Sequence, residues 1–157
     1  MKRLETVYKD VQISQVSNHL NIPKTTVNQI FSSYVEYLKN KIDNGETVKF
    51  LDVCYLRVEG KDEQIHETLA YISHELADDL KLSQVLVYRV LTTYGEFLIR
   101  DLKKLNSYSI RGLLRIKLEK NYKGEYKVRT KKSTVYNGKD VYVTTTNFFK
   151  RKAEVLS

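Results

Sequence analysis

The fold of this chain is decided by residues 20–38, because their pattern returns sixty positions later. Residues 20–38 are LNIPKTTVNQIFSSYVEYL, and residues 80–98 are LKLSQVLVYRVLTTYGEFL. The correspondence extends outward to residues 13–59 and 73–119. The identical pairs are Leu20/Leu80, Val27/Val87, Tyr34/Tyr94, Glu36/Glu96, Leu38/Leu98 and Glu59/Glu119. Constant spacing across several elements indicates an internal duplication, so we expect two copies packed on each other as a pseudo-dimer.

Each copy is predicted to contain two helices followed by two strands. In the first copy, an apolar stripe of helical spacing ends at Leu20, and a longer stripe follows Pro23. Gly45 is expected to end the longer helix in the left-handed conformation. Alternation in residues 48–58 predicts two short strands. The second copy is predicted to have helices over residues 65–80 and 83–105 and strands near residues 108–110 and 113–119.

The net charge of +8 is concentrated at one end of the chain. Residues 1–110 contain 14 Lys and Arg against 15 Asp and Glu, which gives −1. Residues 111–157 contain 13 against 4, which gives +9. A basic segment of this kind is typical of a protein that binds a polyanion.

Residues 121–146 have no counterpart in the first copy. Apolar or aromatic residues alternate there with lysine and arginine, and Asn137-Gly138 separates two such runs. Asn-Gly between alternating runs favours a hairpin, so the segment is predicted to form a two-stranded basic β-arm. The tail from Phe148 to Leu156 is predicted to form a short basic helix.

Two of these features have a second interpretation. Residues 14–27 also fit a helix-turn-helix, which would direct Lys24, Thr25, Thr26 and Asn28 toward a major groove. The long apolar stripe and nearly balanced charge of that helix favour a packed helix instead. The basic arm could instead be a hairpin whose lysines only prevent edge pairing, although its charge favours binding to a polyanion or to an acidic protein surface.

No combination of residues indicates catalysis. His19, His66 and His74 lack the spacing of metal ligands, and neither a phosphate-binding glycine loop nor a nucleophile motif is present. The single cysteine, Cys54, is expected to be a buried small hydrophobe. No apolar run reaches the roughly 18 residues of a membrane span. We therefore expect a protein that is not an enzyme, with no cofactor, metal, small-molecule substrate or membrane partner.

The order of elements resembles that of the HU/integration host factor family of bacterial DNA-bending proteins. The residues that carry the resemblance are Leu20-Asn21-Ile22-Pro23-Lys24, Gly45-Glu46-Thr47-Val48-Lys49-Phe50, Gly112, Ile116-Lys117-Leu118 and Phe149-Lys150. Three features depart from the family pattern. The first copy has neither arm nor final helix, the arm lacks a proline at its tip, and Asp52 replaces a glycine at the first bend. Sharp bending of DNA by this chain alone is therefore not expected.

The resemblance implies an α+β fold of two tandem HU/IHF-like helix-helix-β units that form a pseudo-dimer, with one β-hairpin arm and a short C-terminal helix. The first unit would cover residues 1–60 and lack an arm. The second would cover residues 65–157 and carry the arm at residues 121–146. The two units are expected to form one compact body.

The implied function is that of an architectural protein that contacts the phosphate backbone and minor groove of double-stranded DNA through the basic β-arm. The residues expected to bind DNA are Arg115, Lys117, Lys120, Lys123, Lys127, Arg129, Lys131, Lys132, Tyr136, Lys139, Lys150, Arg151 and Lys152. The alternative is a structural protein of a bacteriophage virion, in which the arm would contact copies of itself or other virion proteins. The corresponding locations are the cytoplasm, as a nucleoid-associated protein, or the phage particle.

Overall fold

A computed structural model describes the backbone of residues 9–51, 54–58, 68–105, 107–110, 114–120, 126–128, 132–136 and 139–145. Side chains are described for residues 10–51, 56 and 68–101. Four helices account for most of this second set: α1 (Lys9–Leu20), α2 (Lys24–Asp43), α3 (Leu69–Leu80) and α4 (Gln84–Leu105). The starts of α1 and α3, and the starts of α2 and α4, are each sixty residues apart, as the duplication predicts.

The turns between the paired helices are also equivalent. Asn21 (φ 56°) and Lys81 (φ 57°) both adopt the left-handed conformation directly after α1 and α3. Each turn is then closed by a backbone hydrogen bond, Ile22 N–H to Ser17 O at 3.1 Å and Leu82 N–H to Ala77 O at 3.0 Å. The left-handed residue reverses the chain, so the following helix starts within four residues.

The end of α2 confirms the conformation predicted for Gly45, which has a φ of 76°. The N–H of Gly45 donates to Ile42 O at 2.9 Å, and the N–H of Glu46 donates to Lys41 O at 3.0 Å. These paired bonds satisfy the last carbonyl groups of the helix, and they depend on a residue that tolerates positive φ. The chain then turns directly into a short strand.

Burial repeats with the same sixty-residue period as the sequence. Across residues 10–40 and 70–100, the same positions are buried, half-buried or exposed, except at Ser14/His74 and Lys39/Ile99. The fully buried matched pairs include Tyr34/Tyr94 and Leu38/Leu98. The two copies therefore present equivalent helix faces to one shared core.

Side chains from both copies meet in that core. The ring of Phe31 stacks on the ring of Tyr94, with centroids 4.1 Å apart, and His19 meets the ring of Phe97 edge-on at 5.4 Å. Since Phe31 and His19 belong to the first copy and the other two to the second, these contacts join the copies. Burial of aromatic rings is a major source of such stabilisation.

The hydroxyl group of Tyr34 connects α2 to the turn that follows the first strand. It donates a hydrogen bond to Lys49 O at 3.0 Å and accepts one from Leu51 N–H at 2.8 Å. Leu51 is buried and has a φ of 51°, which is unusual for leucine. Tyr34 thus holds this bend in place from within the core.

Seven strands are described from their backbone: β1 (Val48–Phe50), β2 (Cys54–Val58), β3 (Ser107–Ile110), β4 (Leu114–Lys120), β5 (Tyr126–Val128), β6 (Lys132–Tyr136) and β7 (Lys139–Thr145). One set has the order β1-β2-β7-β6, and the other has the order β3-β4-β5. All the neighbouring strands are antiparallel. The last of the described strands, β7, therefore lies beside β2 of the first copy.

The predicted α+β fold class is wrong. Among the residues whose side chains are described, 79% are helical, and β1 is the only complete strand. This part of the chain is predominantly helical, with a core supplied mainly by the four helices. Period-two alternation predicts extended backbone but not how much of the core the strands supply. The amphipathic stripes of the helices supply most of it.

The predicted two-stranded β-arm over residues 121–146 is wrong as a separate unit. β6 and β7 do pair with each other, as predicted for the runs on either side of Asn137-Gly138, but β7 also pairs with β2 of the first copy, and β5 pairs with β4. Sequence alternation identifies strands but not their partners, and β2 is distant in the chain from β7. The predicted C-terminal helix over residues 148–156 and the unit boundary between residues 60 and 65 lie outside the described residues.

The packed interpretation of α2 is confirmed. Val27, Ile30, Phe31 and further residues along the same face are buried. Of the residues that a helix-turn-helix would direct at DNA, Lys24, Thr25 and Asn28 are exposed at its N-terminal end, and Thr26 is half-buried.

Candidate functional site

The residues predicted to bind DNA divide between described strands and segments outside the description. Seven have a described backbone: Arg115, Lys117 and Lys120 in β4, Lys127 in β5, Lys132 and Tyr136 in β6, and Lys139 in β7. The remaining six lie outside the described residues: Lys123, Arg129, Lys131, Lys150, Arg151 and Lys152. The seven are distributed over both sets of strands.

In the β3-β4-β5 set, the backbone register separates apolar from basic positions. Leu114 pairs with Ile110, Ile116 with Tyr108, and Leu118 with Val128. The intervening positions of β4 pair differently: Arg115 with Ser109, Lys117 with Ser107, and Glu119 with Lys127. Apolar rows and polar, mainly basic rows thus alternate along this set of strands.

In the β1-β2-β7-β6 set, basic residues flank a tyrosine. Tyr142 of β7 pairs with Arg57 of β2 on one side and with Lys132 of β6 on the other. Tyr136 pairs with Lys139 where β6 and β7 meet. This register combines positive charge with aromatic residues, a combination found in sites for nucleic acids.

A groove of about 330 Å³ lies beside α4, between residues of the second copy and Leu51 of the first, among residues whose side chains are described. Leu51, Leu91 and Ile99 contribute buried apolar side chains, and Leu69 at the start of α3 is half-buried. The exposed ring of Tyr88 borders it, as does the exposed Glu96. We call this site the α4 groove.

Gly95 keeps the α4 groove open. A Cβ atom at this position would lie 3.4 Å from Leu51 Cβ and 3.8 Å from Leu51 Cδ1. A longer side chain at position 95 would therefore extend against Leu51 and reduce the free volume. The first copy has Val35 at the equivalent position.

Four further residues of the α4 groove differ from their counterparts sixty positions away in the same direction. Leu69, Tyr88 and Ile99 correspond to Lys9, Asn28 and Lys39, and Leu51, which belongs to the first copy, corresponds to Arg111 of the second. These four groove positions are thus apolar or aromatic, whereas their counterparts are polar or basic. Ile99 also accounts for one of the two positions at which burial differs between the copies.

The difference between Lys39 and Ile99 also alters the surroundings of the equivalent carboxylates of Glu36 and Glu96. In the first copy, Lys39 Nζ lies 3.6 Å from Glu36 Oε1. In the second copy, Ile99 occupies the position of Lys39, and Glu96 forms no ion pair within the described part of the chain. The α4 groove thus combines apolar walls with one exposed carboxylate that has no ion pair among the described residues.

The histidines and acidic residues do not form a second site in the described region. His74 Nε2 lies 3.8 Å from Asp78 Oδ2 on an exposed helix face. No group of three or more His, Cys, Asp or Glu side chains is arranged to hold a metal ion in the described residues. The described helices include none with the length and apolar character needed to cross a membrane.

The similarity of the two copies does not reveal the α4 groove, because the groove lies where the copies differ. The differences that mark it in the sequence are Gly95 against Val35 and Ile99 against Lys39. Comparisons of the chain with protein-family models, with curated proteins and with solved structures gave no match.

Proposed function

We propose that this protein is an architectural DNA-binding protein of the HU/integration host factor type, which holds duplex DNA through its basic segment, residues 111–157. The observation that carries the proposal is the distribution of charge: +9 in the basic segment against −1 in residues 1–110. A polyanion attracts such a segment over a distance of about 10 Å at moderate salt concentration.

The strand register supports a basic surface rather than scattered charges. Arg115 and Lys117 occupy alternate positions of β4, and Lys127 pairs with Glu119, the next position in the same series. Successive residues of a strand face opposite sides of a sheet. One side of β3-β4-β5 is therefore available for phosphate groups, while the alternate apolar positions are available for packing.

The expected mode of binding is contact with the phosphate backbone and the minor groove. Lysine and arginine position a protein on DNA without distinguishing sequences, because they neutralise phosphates. The basic segment contains no proline, the residue that acts as a bending wedge in the family. We therefore propose weak sequence preference and moderate bending, with the bacterial nucleoid as the place of action.

A mobility-shift titration with duplex DNA at several salt concentrations tests this proposal. Removing Lys131 and Lys132 together should weaken binding to all sequences and flatten the log–log salt dependence by roughly two units, at about 0.9 per phosphate contact. The matched control replaces Lys24 and Arg89 by Gln. These residues are exposed on α2 and α4, and their removal lowers the net charge equally.

The control also separates the two possible DNA surfaces. An unchanged affinity in the control supports the basic segment. If the Lys24/Arg89 variant loses as much affinity for DNA as the Lys131/Lys132 variant, only net charge matters. If it loses more, the DNA-binding site lies on the helices.

A second candidate function is that of a structural protein in a bacteriophage particle. The pairing of β7 with β2 favours it, because it joins part of the basic segment to strands of the first copy. Virion proteins would then be the partners of the remaining strand edges. This function predicts migration with a large particle in a density gradient, and DNA shifts that do not change when Tyr136 is replaced by Ala.

A further inference from the structure

The α4 groove has the chemistry of a binding site for an apolar and basic peptide. Its walls are apolar, and the carboxylate of Glu96 lies at its border without an ion pair in the described part of the chain. A ligand with bulky apolar side chains next to a lysine or arginine would fill the walls and neutralise this carboxylate. An aromatic ring buried in such a groove contributes most of the binding energy.

This chain itself contains a segment of that description. Phe148-Phe149 is followed directly by Lys150-Arg151-Lys152 near the C-terminal end of the sequence. No other position in the chain has two adjacent phenylalanines. The chemistry of the segment is therefore complementary to that of the groove.

The last described residue of β7 lies close to the groove. β7 ends at Thr145, which pairs with Cys54 of β2, and Cys54 pairs in turn with Phe50 of β1. Leu51, a residue of the groove wall, follows Phe50 directly. Neighbouring strands lie about 4.8 Å apart, so Thr145 is roughly 10 Å from Phe50.

The chain after Thr145 is long enough for this distance. Phe149 follows Thr145 by four residues, which span up to about 14 Å when extended. The segment can therefore reach the groove without separation of β7 from β2. A longer connection would lower the local concentration of the segment at the groove, whereas this one keeps it high.

We propose that the α4 groove is the docking site of the C-terminal segment, residues 147–157, of the same chain. Phe148 and Phe149 occupy the space between Leu51, Leu91 and Ile99, and one cation of Lys150-Arg151-Lys152 pairs with Glu96. Docking attaches the end of the chain to the second copy, after β7 has paired with the first. It goes beyond DNA binding and does not depend on it.

A single tryptophan reports on this docking, because the chain contains none. In the full chain carrying Phe149→Trp, we expect emission at shorter wavelength and several-fold weaker quenching by acrylamide than in a chain carrying Tyr71→Trp. Tyr71 is 48% exposed, so the second variant calibrates a solvent-accessible ring. Equal quenching of the two variants would overturn the proposal.

Two changes in the groove, each added to the Phe149→Trp chain, identify where the indole ring is held. Gly95→Val restores the residue of the first copy and fills the groove, and Glu96→Gln removes its carboxylate. Each should shift the emission of the introduced tryptophan toward that of the exposed control. If the indole ring stays shielded from acrylamide in both groove variants, it is held elsewhere in the protein, and the proposal is overturned.

Two further measurements distinguish docking from a loss of folding and from docking between two chains. If Gly95→Val lowers the thermal midpoint, Tyr88→Asn, an exposed change to the residue of the first copy, replaces it as the groove variant. Emission is also followed on dilution. Shielding independent of protein concentration supports docking within one chain, whereas its loss on dilution would assign the groove to the segment of a second copy.

Discussion

The aromatic rings of Phe31 and Tyr94 stack with their centroids 4.1 Å apart and their planes 17° apart. Both side chains are fully buried, and they belong to different copies of the duplicated unit. Stacked aromatic pairs contribute about 0.5–1.5 kcal/mol beyond the burial of their area. The stack is therefore a direct link between the two halves of the molecule.

Replacing Phe31 by Leu, the residue of the second copy, should lower the free energy of unfolding by at least about 1 kcal/mol, because the stack and part of the ring volume are lost. Chemical denaturation measures this change. Tyr88→Leu is the control, since Tyr88 is exposed and should change stability little. Equal stability of the Phe31 variant and the wild type would contradict the contact between the copies.

Leu38→Ala and Leu98→Ala should each cost about 2–5 kcal/mol, as expected for a buried leucine that leaves a cavity. Both side chains are fully buried at equivalent positions of α2 and α4. Equivalent surroundings predict similar losses in a denaturant melt. A loss below about 1 kcal/mol for either would show that its burial is not maintained in solution.

Tyr34→Phe should destabilise the protein by about 1–3 kcal/mol, because the N–H of Leu51 and the carbonyl group of Lys49 lose their partner. Tyr37→Phe provides the control on the same helix. The hydroxyl group of Tyr37 is buried without a hydrogen bond, so its removal should be neutral or stabilising. Thermal melts of the two variants should therefore shift in different directions or by clearly different amounts.

Gln12→Ile should stabilise the protein by about 1–3 kcal/mol. Gln12 is fully buried in α1, and neither of its amide atoms has a hydrogen-bond partner among the residues that the structure describes. The second copy has Ile72 at this position. The reciprocal change, Ile72→Gln, should destabilise the protein in the same assay, and a stabilising effect of that change would refute the explanation.

Tyr136→Ala should reduce the bending of bound DNA without a comparable loss of affinity. Tyr136 ends β6, where a large ring can take the part of the missing proline wedge. Fluorescence energy transfer between labelled DNA ends measures the bend. Lys139→Ala, at the position paired with Tyr136, should instead weaken affinity and leave the bend of saturated complexes unchanged.

Features set by neighbouring residues were predictable from the sequence. The start of α4 after Ser83 is confirmed, and the Ser83 hydroxyl group accepts a hydrogen bond from Leu86 N–H at 3.4 Å. The predicted start of α3 near residue 65 is wrong, because Thr68 caps the helix and accepts from Tyr71 N–H at 3.1 Å. A threonine before an apolar run was the signal that would have corrected this boundary.

Features set by distant residues were not predictable. The alternation of β7 marks a strand, but its pairing with β2 joins positions such as Leu56 and Val143, which are far apart in the chain. The α4 groove likewise depends on Leu51 lying next to Gly95. Only the folded chain brings these residues together, so no local pattern could identify them.

The equivalence of the two helix faces affects the protein while the ribosome is still making it. When only the first copy has been synthesised, Phe31, Leu38 and their neighbours on α2 have no α4 to cover them. Another unfinished chain exposes the same face of α2, and this face is equivalent to the face of α4 that would normally cover it. Unfinished chains on one messenger RNA can therefore pair through these faces. Rapid pairing of the second copy with the first within one chain prevents this exchange.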